Sequence, residues 1–282
     1  MRALGRVLDW AVTPLGPVQG WPQSLRSTVR TILSSQYPMV LTWGEDYTQI
    51  YNDAYSKLIG DRHPAGLGAD IRITLAEAWT TLGPMIERVM ATGIANWTPA
   101  LPLEMHRSGY REEAYFSVSH APAEDDRGRI VGMLAVCSEV TEQIVGERRL
   151  RLLRELSARA GDAEETTQAA SDLVAALAEN RFDVPFACLY LHENERHELA
   201  ASYGLPSPEA ASEVDWRTGN AHDPSPLDRA IGGETSLIHA VGRLVSARGG
   251  VFDDPVQTAI CLPIAGANGA VLGTLVAGIS PN

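Results

Sequence analysis

Residues able to do chemistry are few in this chain, and they are widely spaced. His192 and His197 flank a short polar stretch, with Glu193, Glu195 and Glu198 beside them. Imidazoles and carboxylates so placed could gather a divalent cation. Exposed turn residues account for the same pattern, so no metal site is expected. His120 and Glu124 make a still weaker pair. His197-Glu198-Leu199 would suit a phosphoryl-accepting imidazole only on an exposed helix followed by Arg and Pro. Here Ala200-Ala201-Ser202-Tyr203 follows in a strand pattern, and strand is the reading. The sole lysine, Lys57, sits in Tyr-Ser-Lys-Leu, so no Gly-Lys-Ser/Thr phosphate loop exists. A Schiff-base enzyme would depend on that one amine. No Asn-rich or Asp-x-Gly-x-Gly segment offers an ATP site, and Gly232-Gly233-Glu234 lacks the Phe of a cyclase signature. Cys137, Cys188 and Cys261 lie in apolar runs with no CxxC pair, which predicts buried reduced thiols. The chain is expected to be no enzyme by itself.

The bulk properties agree. A length of 282 residues with 45% hydrophobic and 21% charged residues predicts two ordinary globular domains. The net charge of -12 divides as -3 over residues 1–150 and -9 over the remainder. Such acidity disfavours phosphate backbones and anionic lipid, so neither nucleic acid nor membrane is an expected partner. No run approaches the roughly 20 apolar residues of a membrane span. The start carries no signal-peptide pattern. A cytoplasmic protein is the expectation.

The elements that must position any site follow from periodicity. A Gly/Pro-punctuated arm leads to Leu25, Val29, Ile32 and Leu33 at helical spacing, predicting an amphipathic helix over 22–36. Its apolar stripe must pack on the following domain or on a partner chain. Met39–Trp43 and Tyr47–Tyr51 read as a hairpin, and Asn52 or Asp53 caps a short helix. Leu75 to Thr92 carries a helical stripe ended by Gly93, with a break or kink expected near Gly83 because of Pro84. Strands are predicted at 96–106, 112–121 and 130–139. A charged helix spans 141–160, with Val145, Leu152 and Leu156 on one face. Another helix runs from about Ala163 to Glu179. Strands follow at Val184–Leu191, His197–Tyr203, Thr235–Val241, Thr258–Ile264 and Ala270–Ile279, with a short helix at Leu227–Ile231 and loops at 204–226 and 242–255. The fold class is α+β, as two tandem antiparallel-sheet domains joined by a helix.

Particular residues carry a family resemblance. Thr13-Pro-Leu-Gly-Pro17, Gly20-Trp-Pro-Gln-Ser-Leu-Arg26, Pro38-Met39, Trp43-Gly44 and Tyr51-Asn-Asp-Ala-Tyr55 resemble the amino-terminal region of PAS–GAF sensor proteins, mostly bacterial sensor histidine kinases. Ile59-Gly60, His63-Pro64-Ala65, Leu67-Gly68, Gly83-Pro84, Tyr115-Phe116 and Gly128-Arg-Ile-Val-Gly132 continue the match. Glu139-Val-Thr-Glu142 resembles the closing Asp-x-Thr-Glu of PAS domains, with Glu for Asp. Glu147–Leu156 resembles the junction into a GAF domain, and Thr258–Pro263 and Leu272–Pro281 its last strands.

The resemblance implies an arm and helix over 1–36, a PAS domain over 37–140, a signalling helix over 141–160 and a GAF domain over 161–282 without its closing helix. It implies the sensory part of a two-component kinase, with a downstream output domain and a homodimer through helices 22–36 and 141–156. The alternatives are a ligand-free dimerisation module, or the sensory part of a serine phosphatase or diguanylate cyclase. A PAS pocket lies between the inner sheet face and the long helix. Trp43, Tyr51, Trp79, Met85, Trp97 and Tyr115 are its candidate liners for a non-covalent small ligand. Bilin is disfavoured because the arm has no Cys. Flavin photochemistry is disfavoured because Asn52–Gly60 has none either. Haem is disfavoured because 75–93 has no His, leaving only His63 or His106. Phe252-Asp-Asp254 lacks the Asn-Lys of a cyclic-nucleotide GAF motif.

Overall fold

The computed structural model describes residues 1, 5, 8–106, 111–162, 166–193, 196–207, 212, 214–216, 224–266 and 269–281. The chain divides into two compact units, Met1–Ile144 and Val145–Asn282.

The first unit contains helix α1 (Gln23–Ile32), strands β1 (Met39–Trp43) and β2 (Thr48–Tyr51), and helices α2 (Asp53–Ile59), α3 (Ile71–Thr74) and α4 (Trp79–Thr92). Strands β3 (Asn96–Met105), β4 (Glu112–Glu124) and β5 (Ile130–Glu139) complete it. The sheet is antiparallel in the order β2-β1-β5-β4-β3. Alternation sets the faces. In β4, Ala114, Phe116, Val118 and His120 are buried while their neighbours are half-exposed. Gly132 of β5 faces Trp43 of β1, and a Cβ there would lie 2.1 Å from the Thr42 carbonyl oxygen, so only glycine lets these two strands approach.

The stripe of α1 is satisfied within its own unit. The helix packs on β1 and β2, and Leu25 and Ile32 join the core with Trp10, Trp21 and Leu41. Those two side chains therefore pack on the following domain, one of the two outcomes expected of the stripe.

Of the break or kink expected at Pro84, the break does not occur, and α4 runs from Trp79 to Thr92 with Pro84 inside it. Proline removes one backbone donor, but the carbonyl it leaves belongs to exposed Thr80 and can bond water. Gly83 makes room for the Trp79 indole, since a Cβ would come within 2.9 Å of that ring. Strand β4 also outruns its expected end by three residues, to Glu124, and the turn after it is closed by Asp125, which accepts from the backbone N–H groups of Arg127 and Arg129.

Helix α5 (Thr141–Asp162) leaves the first unit. The second comprises the rest of α5, α6 (Thr166–Ala178), β6 (Ala187–Glu193), β7 (Arg196–Tyr203), α7 (Pro226–Ile231), β8 (Ser236–His239), β9 (Arg248–Gly249), β10 (Asp254–Pro255), β11 (Thr258–Ala265) and β12 (Val271–Ile279). Its five-stranded antiparallel sheet runs β7-β6-β12-β11-β8. Counted in chain order within each five-stranded sheet, both units have the order 2-1-5-4-3. Two stretches read as loop hold structure. Strands β9 and β10 form a small ladder inside 242–255. Trp216, inside 204–226, is fully buried, stacks on Phe186 at 6.0 Å, and donates its indole N–H to the Tyr190 hydroxyl. All three cysteines are buried and unbridged.

Candidate functional site

The first unit holds an apolar cavity of about 60 Å³, partly open to the surface, between the inner sheet face and helices α2 to α4. Parity chooses its walls. Val40 of β1, Phe116, Val118 and His120 of β4, and Met133 and Cys137 of β5 point in from the sheet. Ala78, Leu82 and Ile86, four residues apart, form the inward edge of the long helix and the turn before it, with Tyr55 and Ile59 from α2.

Three polar groups interrupt this wall: Tyr55, His120 and Cys137. Burial holds His120 neutral by lowering its pKa to about 4. Burial raises the Cys137 thiol to about 12. Burial, then the nearby Cys137, pushes the Tyr55 phenol well above its usual value. At neutral pH the cavity wall therefore carries no charge.

A wider cleft of about 620 Å³ lies on the other side of the same unit. Its described walls include Trp10, Trp21, Val29, Arg26 and Arg30, with Ile50 and Tyr51. Trp10 and Trp21 meet edge to face there at 5.0 Å. Part of that wall is the N-terminal arm, where residues 2–4, 6 and 7 lie outside the described set. The apolar cavity, whose walls are all described, is the better-defined site.

None of the six aromatic and methionine residues expected at the cleft lines this cavity among the described residues. Trp43 and Leu41 occupy the opposite parity on β1 from Val40. Tyr51 shares the parity of Val40 but sits on the outer strand, where its hydroxyl lies 3.2 Å from His63 Nδ1 and its ring packs on Tyr55. Trp79 and Met85 are half-buried and pack against the core without lining the cavity, although Trp79 lies on the same helix face as Leu82 and Ile86. Trp79 meets the Tyr47 ring edge-on at 6.0 Å. Trp97 on edge strand β3 is 67% exposed. Tyr115 is one residue out of phase with Phe116.

Tyr115 proves informative through its backbone. Its N–H donates to Thr141 Oγ1 at 2.9 Å, and its carbonyl accepts from the Val140 N–H at 2.8 Å. The Thr141 hydroxyl donates to Glu139 Oε1 at 3.0 Å. The Glu139-Val-Thr-Glu142 segment thus ties the first residue of α5 to β4, one position from a cavity liner. Farther along α5, Arg148 forks onto Asp183, with Nε to Oδ2 at 3.0 Å and Nη2 to Oδ1 at 2.9 Å. Burial alone would raise the Asp183 pKa, yet hydrogen bonds from Arg148 and Asn180 hold it low. The side chains of this pair are 17% and 13% exposed. Replacing Arg148 with alanine is expected to weaken the anchoring of α5 on the second unit by about 1–2 kcal/mol, seen as faster amide exchange over Val145–Leu152. Unaltered exchange there would show that the pair is not what holds the helix.

The histidine pair does come together. His192 and His197 face each other across the β6–β7 ladder, with Nδ1 atoms 2.9 Å apart. The ladder includes His192, Glu193, Arg196 and His197, so the turn is shorter than expected. His192 Nε2 is 2.8 Å from Thr274 Oγ1, and His197 Nε2 is 3.6 Å from Asp228 Oδ1. Glu195 lies outside the described residues. Among the described residues no group of three or more candidate metal ligands assembles. His63 bonds Tyr51 and His106 pairs with Glu104, so neither is at the cavity. His120 is the site residue that sequence reasoning passed over. Its place in the alternation Ala114, Phe116, Val118, His120 was the available signal.

No family model and no curated protein matches this chain. Solved structures do. The PAS domain of a protein from Colwellia psychrerythraea is similar at 12% identity, over 42% of this chain and 98% of that one, with a TM-score of 0.34. A sensory box sensor histidine kinase from Vibrio cholerae shows 16% identity over 42% and 90%, with a TM-score of 0.30. The Rhodobacter sphaeroides LOV protein shows 13% over 55% and 92%, with a TM-score of 0.36. The fold description rests on the strand order and register given above.

Proposed function

We propose that the chain is a PAS–GAF sensory region, the first unit being the PAS domain and the second the GAF domain. The observation that carries this reading is the link from cavity to exit helix. A cavity wall on β4 is one residue from Tyr115, which holds Thr141 at the start of α5. A ligand that binds two arrangements of β4 unequally would bias that helix. An output module following the GAF domain, a histidine kinase first among the candidates, would read the bias. This chain itself would be non-catalytic. No described helix is long and apolar enough to cross a membrane, and we place the protein in the cytoplasm.

Helix α5 would also serve dimerisation. Leu150 and Leu153 are 54% and 58% exposed on it, and Val145, Leu152 and Leu156 are half-buried. Leu25 and Ile32 of α1 are already packed, so the dimer contact would fall to α5. A ligand-free dimer scaffold is the competing reading, supported by the small size of the cavity.

The test is autophosphorylation of the whole gene product, with and without residues 1–144. Altered basal activity or a lost response to stimulus supports the sensory reading. Unchanged activity and response would reject it.

A further inference from the structure

We propose that the apolar cavity of the first unit binds a small neutral molecule carrying one hydrogen-bond donor, a hydroxyl or N–H, which it offers to the lone pair on His120 Nε2. The inference deepens the sensory reading above and uses the same site.

The hydrogen-bond network fixes the tautomer. Asn96 donates its Nδ2 to the Met85 carbonyl at 3.1 Å. Its Oδ1 then faces His120 Nδ1 at 2.9 Å. An oxygen acceptor there requires Nδ1 to carry the proton. A neutral imidazole has only one N–H, so Nε2 holds a bare lone pair. No protein group among the described residues donates to it. His120 is 2% exposed and lines the cavity. A donor brought to its lone pair in that apolar wall gains a hydrogen bond there.

Size and charge narrow the class. A volume of about 60 Å³ is roughly four to six times the 10–15 Å³ that one enclosed water requires, so the guest has on the order of four to six non-hydrogen atoms. A porphyrin or flavin ring system needs a pocket of roughly 300 Å³ or more and exceeds the cavity as it stands. The uncharged wall offers an ion no counter-charge, which favours a neutral guest. Leu82, Ile86 and Val118 would take the apolar remainder. A guest this small binds no tighter than on the order of 0.1–1 micromolar.

The experiment uses two probes of one skeleton, 2-propanol and acetone, of which only the alcohol donates. The full chain, with 15N-labelled histidine, is titrated with each below concentrations that alter its far-UV circular dichroism. The ring-nitrogen signal of His120 Nε2 should move saturably with 2-propanol, at an affinity at least tenfold above any response to acetone. His120→Leu should abolish that preference. The readout on the unaltered protein stands even if the variant fails to fold. No saturable response, as from a cavity holding only water, overturns the proposal. So does an equal response to acetone. Binding without any effect of residues 1–144 on output would reject the sensory reading alone. An effect on output without binding would reject only the present inference.

Discussion

Replacing Asn52 with alanine should lower the stability of the first unit by about 4 kcal/mol, the largest single-residue effect expected outside the core. Asn52 is 1% exposed. Its Nδ2 donates to the carbonyls of Ile32, Ser35 and Tyr37, at 3.2, 3.2 and 2.7 Å. Its Oδ1 accepts from the Met39 N–H at 3.1 Å and the Tyr55 N–H at 2.9 Å. One amide therefore fastens the end of α1, the entry to β1 and the cap of α2. Loss of the cap costs about 1 kcal/mol. The orphaned Met39 donor and Ile32 acceptor add about 1–3 kcal/mol each, while the exposed Tyr37 carbonyl can rehydrate. Calorimetry should show the first unit's transition about 10 °C lower or more. Asn52→Asp separates the network from a simple cap. Aspartate caps as well as asparagine, so a capping role alone predicts no loss. The network predicts a loss as large as alanine's, because a carboxylate would face three carbonyl oxygens. An aspartate variant as stable as the wild type would refute the network account.

The same residue illustrates what was legible in the sequence. Asn52 stood out as a helix cap from its position before Asp53-Ala54-Tyr55, but its three carbonyl partners are distant in the chain and invisible to local pattern. Strands β3, β4 and β5 were predictable to within a few residues because each alternates or is bounded by turn residues. Helices fared well where the stripe was long. Pro84 misled because its cost depends on whether the freed carbonyl meets water, which is a tertiary fact. The expected cleft residues were chosen by type, and phase alone places Trp43, Trp97 and Tyr115 away from the cavity, whereas Tyr51 is held off it by its outer strand. Tyr115 and Phe116 differ by one position and lie on opposite faces of β4. The cavity is lined instead by the aliphatic residues Leu82, Ile86 and Val118, which sequence reasoning would assign to any core. Its one buried histidine was discounted because nothing nearby in sequence marked it as a ligand. The Arg148–Asp183 fork joins residues 35 apart and had no local signature either.

His120 should also give the first unit an acid-labile component of about 3 kcal/mol. Its folded pKa is about 4, against an ordinary value of 6.5, and burial is the cause. No carboxylate lines the cavity beside it, and Tyr55 and Cys137 stay protonated over this range. Between pH 6.5 and 4 the unfolded chain binds a proton here that the folded chain does not. Stability is therefore complete above pH 6.5 and falls as the pH drops, by about 2 kcal/mol at pH 5 and about 3 kcal/mol near pH 4. Carboxylates with lowered pKa, such as Asp125 at about 2, lose their contribution at lower pH. His192 in the second unit is shifted downward too, first by burial and then by His197. Comparing wild type with His120→Leu cancels these shared terms. Denaturant melts at pH 7 and pH 5 should show the wild-type first unit losing about 2 kcal/mol more than the variant. Parallel losses in the two proteins would mean that His120 titrates normally, and that its ring is not sealed in the cavity wall. A donor-bearing guest at Nε2 sharpens the effect. It binds only the neutral ring, so a saturating probe should steepen the wild-type loss between pH 5 and pH 4 and leave the variant unchanged.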